Sequence, residues 1–242
     1  MIVAALIPAA GSGRRMGSGV EKQFLPLGGK PLLAHTLARF EATAAITRIV
    51  VIVPPGREEY CRQEIVQPEG FRKVSHIVAG AETRQRSVTE GFRCLSGDVD
   101  VVVVHDGARP FVTPALIQAA IAAAARDGSA IVAIPESDTL KRVDAHGTVV
   151  ETLDRRYLWR AQTPQAFRRE ILREALVHAE RHHLDTTDEA ALVECLPHPV
   201  RIISGSTWNF KITSPDDWRL AEVLFAHGPL RRETSPVVLE HP

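Results

Sequence analysis

The sequence shows no charge imbalance, little cysteine and no long apolar run. Lys+Arg and Asp+Glu each total 29 in 242 residues, so the formal net charge is zero. A chain that relies on general attraction to nucleic acid or anionic lipid is normally lopsided, so neither partner is expected, and any anion site must be local. Three cysteines, Cys61, Cys94 and Cys195, are an odd number, lie far apart and show no C-x-x-C spacing. That argues against a disulfide framework or a zinc cluster and fits a reducing cytoplasm. Each is expected as a small buried or half-buried apolar side chain rather than a catalytic thiol. The opening run of residues 1–7 is apolar but lacks a basic leader, meets Pro8 at once and is far too short to span a bilayer. It reads as a first strand.

What is present is the composition of a globular chain, 45% hydrophobic and 24% charged, enough for one large domain with a real core. Short continuous apolar runs alternate with longer amphipathic ones, the pattern of parallel strands covered by helices on both faces, so the fold class is α/β. Strands are predicted over residues 2–7, 49–53, 74–78, 101–105 and 129–134, which are mostly β-branched and bounded by Pro, Gly or Asp. A helix is predicted over 32–42, where Leu32, Leu33, Thr36, Leu37 and Phe40 recur at helical spacing. Thr113-Pro114 and Ser214-Pro215 each set a capping hydroxyl before an N1 proline, the second opening a helix to about Phe225. Residues 139–143 and 148–152 read as two strands about a turn at Asp144-Ala145-His146-Gly147. With charges on both sides of its alternation this hairpin has little to bury alone, so 135–159 is expected to project as an arm that needs a partner surface, with a homodimer as the consequence. Residues 1–228 are expected as one domain and 229–242 as a flexible tail.

Chemistry is signalled directly after the first strand, by Pro8-Ala9-Ala10-Gly11-Ser12-Gly13-Arg14-Arg15-Met16-Gly17 and then Glu21-Lys22-Gln23. A glycine-rich turn at the carboxyl end of a parallel strand lets backbone N–H groups approach phosphate closely. From Gly11 to Lys30, Arg14, Arg15, Lys22 and Lys30 face a single acid, Glu21, so the neutral chain gathers positive charge at this loop. Two familiar phosphate loops do not match. The dinucleotide fingerprint needs glycine where Met16 stands and an acid about 20 residues past Gly11, and the P-loop needs Ser or Thr where Pro31 follows Gly29-Lys30.

The loop Pro8-Ala9-Ala10-Gly11-x-Gly13-x-Arg15-Met16 with Lys22-Gln23 resembles that of sugar-phosphate nucleotidyltransferases and, within them, of the 2-C-methyl-D-erythritol 4-phosphate cytidylyltransferases. Further segments follow in that family's order: Gly80-x-x-x-Arg84-x-x-Ser87-Val88-x-x-Gly91, His105-Asp106-Gly107-Ala108-Arg109-Pro110, Asp138-Thr139-x-Lys141, Asp154-Arg155, Thr163-Pro164-Gln165-x-Phe167, Thr187-Asp188-Glu189-Ala190 and Asn209-x-Lys211-Ile212-Thr213. The chain departs from it at Ala81, often glycine, and at Gly107, often alanine. The resemblance implies a Rossmann-like three-layer nucleotidyltransferase fold with a mostly parallel sheet and a projecting β-hairpin arm, and transfer of a cytidylyl group from CTP to the phosphate of 2-C-methyl-D-erythritol 4-phosphate. It implies Arg15 and Lys22 as transition-state stabilisers and Arg155 and Lys211 as the residues that position the attacking phosphate. Pro8, Ala9, Ala10, Gly11, Gly13, Gly80, Ser87 and Asp106 then belong to the nucleotide site, and Asp106, Arg109, Thr139, Thr163 and Thr187 to the polyol-phosphate site. It also implies arm exchange in a homodimer and magnesium held mainly by CTP phosphates, with no protein ligand assigned; Asp106 either approaches the ion or its waters or caps a turn.

Plainer roles are expected elsewhere. Arg14, Lys30 and Lys141 read as solvated loop charges, and Arg155 and Arg156 have Asp154 and Glu151 within reach on a surface ribbon. His105, ending a buried strand, reads as a hydrogen-bonded structural histidine. His178 and His182, beside His183, lack a third metal ligand and read as a helix face. A ribitol 5-phosphate cytidylyltransferase and a non-catalytic nucleotide-binding regulator on the same fold are the rival readings. A second catalytic domain is not expected, since about 15 residues past the last helix cannot form one.

Overall fold

The computed structural model describes residues 1–11 and 21–227. Gly13, Arg14, Arg15 and Met16 of the glycine-rich loop, and the tail expected over 229–242, lie outside the described residues. The chain begins with β1 (Val3–Pro8), then a two-stranded ribbon of β2 (Pro26–Leu27) and β3 (Lys30–Pro31), α1 (Leu32–Ala42) and β4 (Arg48–Val53). A helical stretch follows, α2 (Glu58–Cys61), a π-helical turn (Arg62–Val66) and α3 (Gln67–Glu69), and leads to β5 (Val74–Ala79), α4 (Arg84–Arg93), β6 (Val101–Val104), α5 (Pro114–Asp127) and β7 (Ser129–Pro135). The remainder is β8 (Lys141–Val143), β9 (Val149–Thr152), β10 (Trp159–Arg168), α6 (Arg169–His182), α7 (Glu189–Val193), β11 (Arg201–Ser204) and α8 (Pro215–His227).

Seven strands form the central sheet in the order β11-β7-β10-β6-β1-β4-β5. Six point one way, and β10 alone runs antiparallel, between β6 and β7. Because side chains alternate along a strand, β1 sends Val3, Ala5 and Ile7 to one face, where α1, α5 and Cys61 and Ile65 of the 58–69 stretch cover them. Ala4 and Leu6 point to the other face, under α4, α6 and α7. The expected three-layer α/β architecture is therefore present. Both expected caps form: Thr113 Oγ1 accepts from Leu116 N at 3.2 Å, and Ser214 Oγ accepts from Asp217 N at 3.2 Å.

A third apolar cluster joins Leu27 of the ribbon, Leu32, Ala108 and Phe111 to Ile212, Ala221 and Leu224. It seats the chain around Lys211 against the loop after β6, where Ile212 N donates to Ala108 O at 2.9 Å. The β8–β9 hairpin forms a sheet of its own, and every residue of both strands is exposed, including Val143, Val149 and Val150. It has no core of its own, as the charge pattern predicted.

Several expected bounds shift: the first strand is Val3–Pro8 rather than 2–7, and the hairpin strands are Lys141–Val143 and Val149–Thr152 rather than 139–143 and 148–152. Cys195 is exposed rather than buried or half-buried: it lies two residues past the short α7, and its Sγ donates back to the Ala191 carbonyl at 3.3 Å. Val101–Val104 ends one residue before His105, whose N–H still bonds to Leu6 O at 3.0 Å as the chain turns into the loop. Among the described residues no helix is long and apolar enough to cross a membrane.

Candidate active site

Strand order reverses about β1, with β4 on one side and β6 on the other, and the carboxyl ends of such strands splay to leave a crevice. Three loops meet there. Ladder bonds continue past the strand ends, Ala9 N to Ile52 O at 2.7 Å, Gly80 N to Val53 O at 2.7 Å and Gly107 N to Pro8 O at 3.0 Å, and hold the loops side by side. Gly80 sits so close to the first loop that a Cβ there would lie 2.4 Å from Ala10 Cβ and 3.0 Å from Ser87 Oγ. Ser87, buried in α4, fixes the same corner by accepting from Ala81 N at 2.9 Å and donating to Thr83 O at 2.8 Å. Ala9, Ala10, Gly80 and Ser87 thus form one closely packed wall, with exposed Gly11 at its edge.

One residue before Gly107, in the loop that follows β6, stands Asp106, a buried carboxylate bound by three cations. Arg84 Nε approaches Oδ1 at 3.2 Å, while Arg109 Nε at 3.2 Å and Lys211 Nζ at 3.1 Å share Oδ2. Burial pushes the Asp106 carboxyl up, but Lys211, Arg84 and Arg109 together outweigh it and hold the group well below the usual carboxylate range. Arg84 is itself held from behind: its Nη1 donates to both oxygens of buried Glu189, at 2.7 and 2.9 Å. Three cations against two acids leave a local excess of positive charge in a chain whose total is zero. Arg109 Nη1 also donates to Asn209 O at 2.8 Å, and Asn209 Nδ2 to Thr163 O at 2.8 Å, so the segment before Lys211 is tied to β10.

His105 lies behind this cluster and is fully buried. Its Nε2 is 3.1 Å from Arg109 O, an oxygen that only accepts, so Nε2 carries the proton. Burial pushes the ring's pKa down to about 3, and the neutral ring accepts at Nδ1 from Thr163 Oγ1 at 3.0 Å. Thr163 Oγ1 in turn accepts from Asp106 N at 3.0 Å. Both ring nitrogens are engaged, which gives His105 the structural role expected of it and fixes the backbone of Asp106.

The matching family model is that of 2-C-methyl-D-erythritol 4-phosphate cytidylyltransferase (IspD), which covers residues 3–227. The chain belongs to that family. The 2-C-methyl-D-erythritol 4-phosphate cytidylyltransferase of Syntrophotalea carbinolica is 48% identical over 92% of this chain and 95% of its own length. Among solved structures, the cytidylyltransferase of Thermus thermophilus is similar at 36% identity, with a TM-score of 0.76 over 93% of this chain and all of that one. The 4-diphosphocytidyl-2C-methyl-D-erythritol synthase of Anaerococcus prevotii superposes with a TM-score of 0.82 at 27% identity, over 93% of this chain and 96% of that one.

Not all residues expected from the likeness to the cytidylyltransferase family meet in one chain. Asp106, Arg109, Thr163 and Lys211 converge, and Lys22 joins them from a short 3-10 turn, its Nζ donating to Ile212 O at 2.6 Å. That turn is anchored at the start of the 58–69 stretch: Arg57, just before it, meets Glu21 Oε2 through Nε at 2.8 Å, and Tyr60 within it meets the Phe24 ring edge-on at 5.1 Å between centroids. Thr187 is exposed just before α7, whose N-cap Asp188 accepts from Ala191 N at 3.0 Å. Arg155 and Thr139 lie on the exposed arm. Arg155 donates from Nη1 to Ser137 O, Arg156 takes Asp154 at 2.6 Å, and Arg142 takes Glu151 at 2.6 Å. Gly13 and Arg15 fall outside the described residues.

Lys30 and Lys141 are exposed, on Glu69 and Thr152 at 2.6 Å each. The His178 and His182 rings meet at a tilt of 39° with centroids 4.3 Å apart, and there is no group of three metal-ligating side chains among the described residues. Reasoning from the family residues left Arg84, Glu189 and Asn209 without a role, although all three stand inside the quoted motifs. Gln165, also there, bridges β10 to α7 through Asp188 Oδ2 at 2.8 Å and Ala190 N at 3.1 Å.

Proposed function

We infer that the protein transfers the cytidylyl group of CTP to the phosphate of 2-C-methyl-D-erythritol 4-phosphate, giving 4-diphosphocytidyl-2-C-methyl-D-erythritol and pyrophosphate for isoprenoid precursor synthesis by the non-mevalonate route. The observation that carries this reading is the gathering of Arg84, Arg109 and Lys211 around one buried carboxylate, with Lys22 held on the carbonyl of Ile212, the residue after Lys211. The reaction brings one phosphate oxygen in line with the α-phosphorus of a triphosphate, so two anions must be held together and the charge of the transition state must be met by fixed cations. In this reading Lys22, with Arg15, faces the α-phosphate. Lys211 and Arg109 receive the polyol phosphate, helped by Asp106, Thr163, Thr187 and, from the arm, Arg155 and Thr139. The wall of Pro8, Ala9, Ala10, Gly11, Gly80 and Ser87, with Gly13, takes the nucleoside and its phosphates. No general base is required, since the attacking phosphate is already ionised near neutrality, and His105 has no nitrogen to spare.

Magnesium, when bound, neutralises the pyrophosphate leaving group. The residues fit an ion carried by the triphosphate itself, because both oxygens of Asp106 are already engaged by cations. Residues 1–228 then work as one domain whose 135–159 arm reaches a second copy of the chain, an arrangement favoured by the exposed, coreless hairpin. The three free cysteines support a reducing cytoplasm as the compartment. Purified protein with CTP and magnesium should release pyrophosphate with 2-C-methyl-D-erythritol 4-phosphate. Turnover only with ribitol 5-phosphate would replace the substrate, and CTP binding without turnover on either would favour a regulator.

A further inference from the structure

Glu189 has no assigned part in binding or turnover, yet it is 1% exposed and spends both carboxylate oxygens on a single arginine nitrogen. An ionised carboxylate is costly to bury unless it is paired, and here it is paired only through Arg84 among the contacts of the described residues. Arg84 opens α4, the helix whose Ser87 braces the nucleotide wall. Glu189 opens α7, directly after Thr187 and Asp188. The two residues are 105 apart in sequence. The pair thus bolts the start of α4 to the start of α7.

The geometry has a further effect. Nη1 of Arg84 is taken by Glu189, so the guanidinium presents Nε, 3.2 Å away, to Asp106 Oδ1 alone. Oδ2 is left for Arg109 and Lys211. We propose that Glu189 is a positioning residue: by fixing the Arg84 guanidinium it keeps one oxygen of Asp106 occupied and the other turned toward Lys211 and Arg109, and so presets those two cations for an incoming phosphate monoester. This rests on the assignment of Lys211 and Arg109 to the polyol phosphate. Without the Glu189 charge, Arg84 swings onto Asp106 with its full fork and competes with Lys211 for the same carboxylate.

The test is Glu189→Gln in the full chain, with two readouts. Kinetics with CTP and 2-C-methyl-D-erythritol 4-phosphate should show KM for the polyol phosphate raised about tenfold, as expected for one charged hydrogen bond misplaced, while KM for CTP changes less than about twofold. Acylation of lysines by acetic anhydride without substrate, mapped by mass spectrometry, should show Lys211 labelled faster relative to Lys141 on the arm than in the parent, because its tether to Asp106 is loosened. Unchanged labelling of Lys211 together with an unchanged polyol-phosphate KM overturns the proposal. If the parent does not turn over the polyol phosphate, the reading of the reaction falls, and the labelling ratio still decides the role of Glu189. Should the glutamine variant not fold, Glu189→Asp, which keeps the charge but retreats by one methylene, must show smaller changes in the same direction; parent values in both readouts would again overturn it.

Discussion

Replacing Asp106 by asparagine removes the charge on which three cations converge while keeping the side chain's size. Two of its neighbours are not free to escape to water, Arg109 at 12% exposed and Arg84 at 26%, whereas Lys211 is more open at 33%. Removing one partner of a buried charge pair costs about 3–5 kcal/mol. Lys211 can turn outward and Arg84 keeps Glu189, so the lower end applies, about 3 kcal/mol at neutral pH. With a urea slope of about 1–3 kcal/mol per molar, the unfolding midpoint should fall by roughly 1 M or more. The pH dependence separates this cause from simple misfolding. The native Asp106 carboxyl lies well below its unfolded value of about 3.9, so between those limits the unfolded chain binds the extra proton. The stabilisation is complete above about pH 5 and is lost as pH falls toward the native pKa. The gap between parent and variant should therefore be widest at neutrality and narrow in acid. A variant that matches the parent at neutral pH, or a gap that widens in acid, would refute the assignment of Asp106 as the organising charge.

Further outcomes follow from the same geometry. Gly80→Ala should cost about 1–3 kcal/mol and weaken CTP binding, because its Cβ would be forced against Ala10 at 2.4 Å; calorimetry and a thermal melt on one preparation check both. Ser87→Ala removes the hydroxyl that serves Ala81 N and Thr83 O, with an expected loss of about 1–2 kcal/mol and a raised KM for CTP. His105 is neutral when folded, with a pKa near 3 against an ordinary value of about 6.5. Parent stability should already decline below about pH 6.5, and His105→Gln should flatten that decline in urea titrations. If the arm serves a neighbouring subunit, Arg155→Ala and Lys211→Ala proteins, each inactive alone, should regain about a quarter of parental turnover when unfolded together and refolded, through mixed two-fold dimers with one intact site. No recovery would place Arg155 in its own subunit's site.

Much of the fold can be read from the sequence where apolar runs are continuous. Residues 49–53 and 129–134 lie within buried strands, and the Thr113 and Ser214 caps act as their proline neighbours suggest. β10 could not be found this way. Arg160-Ala161-Gln162-Thr163-Pro164-Gln165 shows no apolar alternation, and its proline removes a ladder donor. The register breaks between Ala161 and Gln165, and the polar side chains are satisfied by Asn209 and Asp188 from elsewhere in the chain. β11 is a short, largely exposed edge strand and gives an equally weak signal. At the site, the glycine-rich turn and its cations announce an anion locally. The Arg84–Glu189 pair does not, because 105 residues separate partners that only the sheet brings together.

The one reversed strand has a topological consequence. Chain leaving β7 emerges on the rim where the loops after β1 and β6 lie, and since β10 runs back from that rim, the excursion between them departs and returns at the same level without crossing beneath the sheet. The hairpin is thus a detachable appendage: its length, charge and tip can vary without shifting any pairing in the seven-stranded platform. Its exposed faces can diversify while the platform that carries Asp106 stays put.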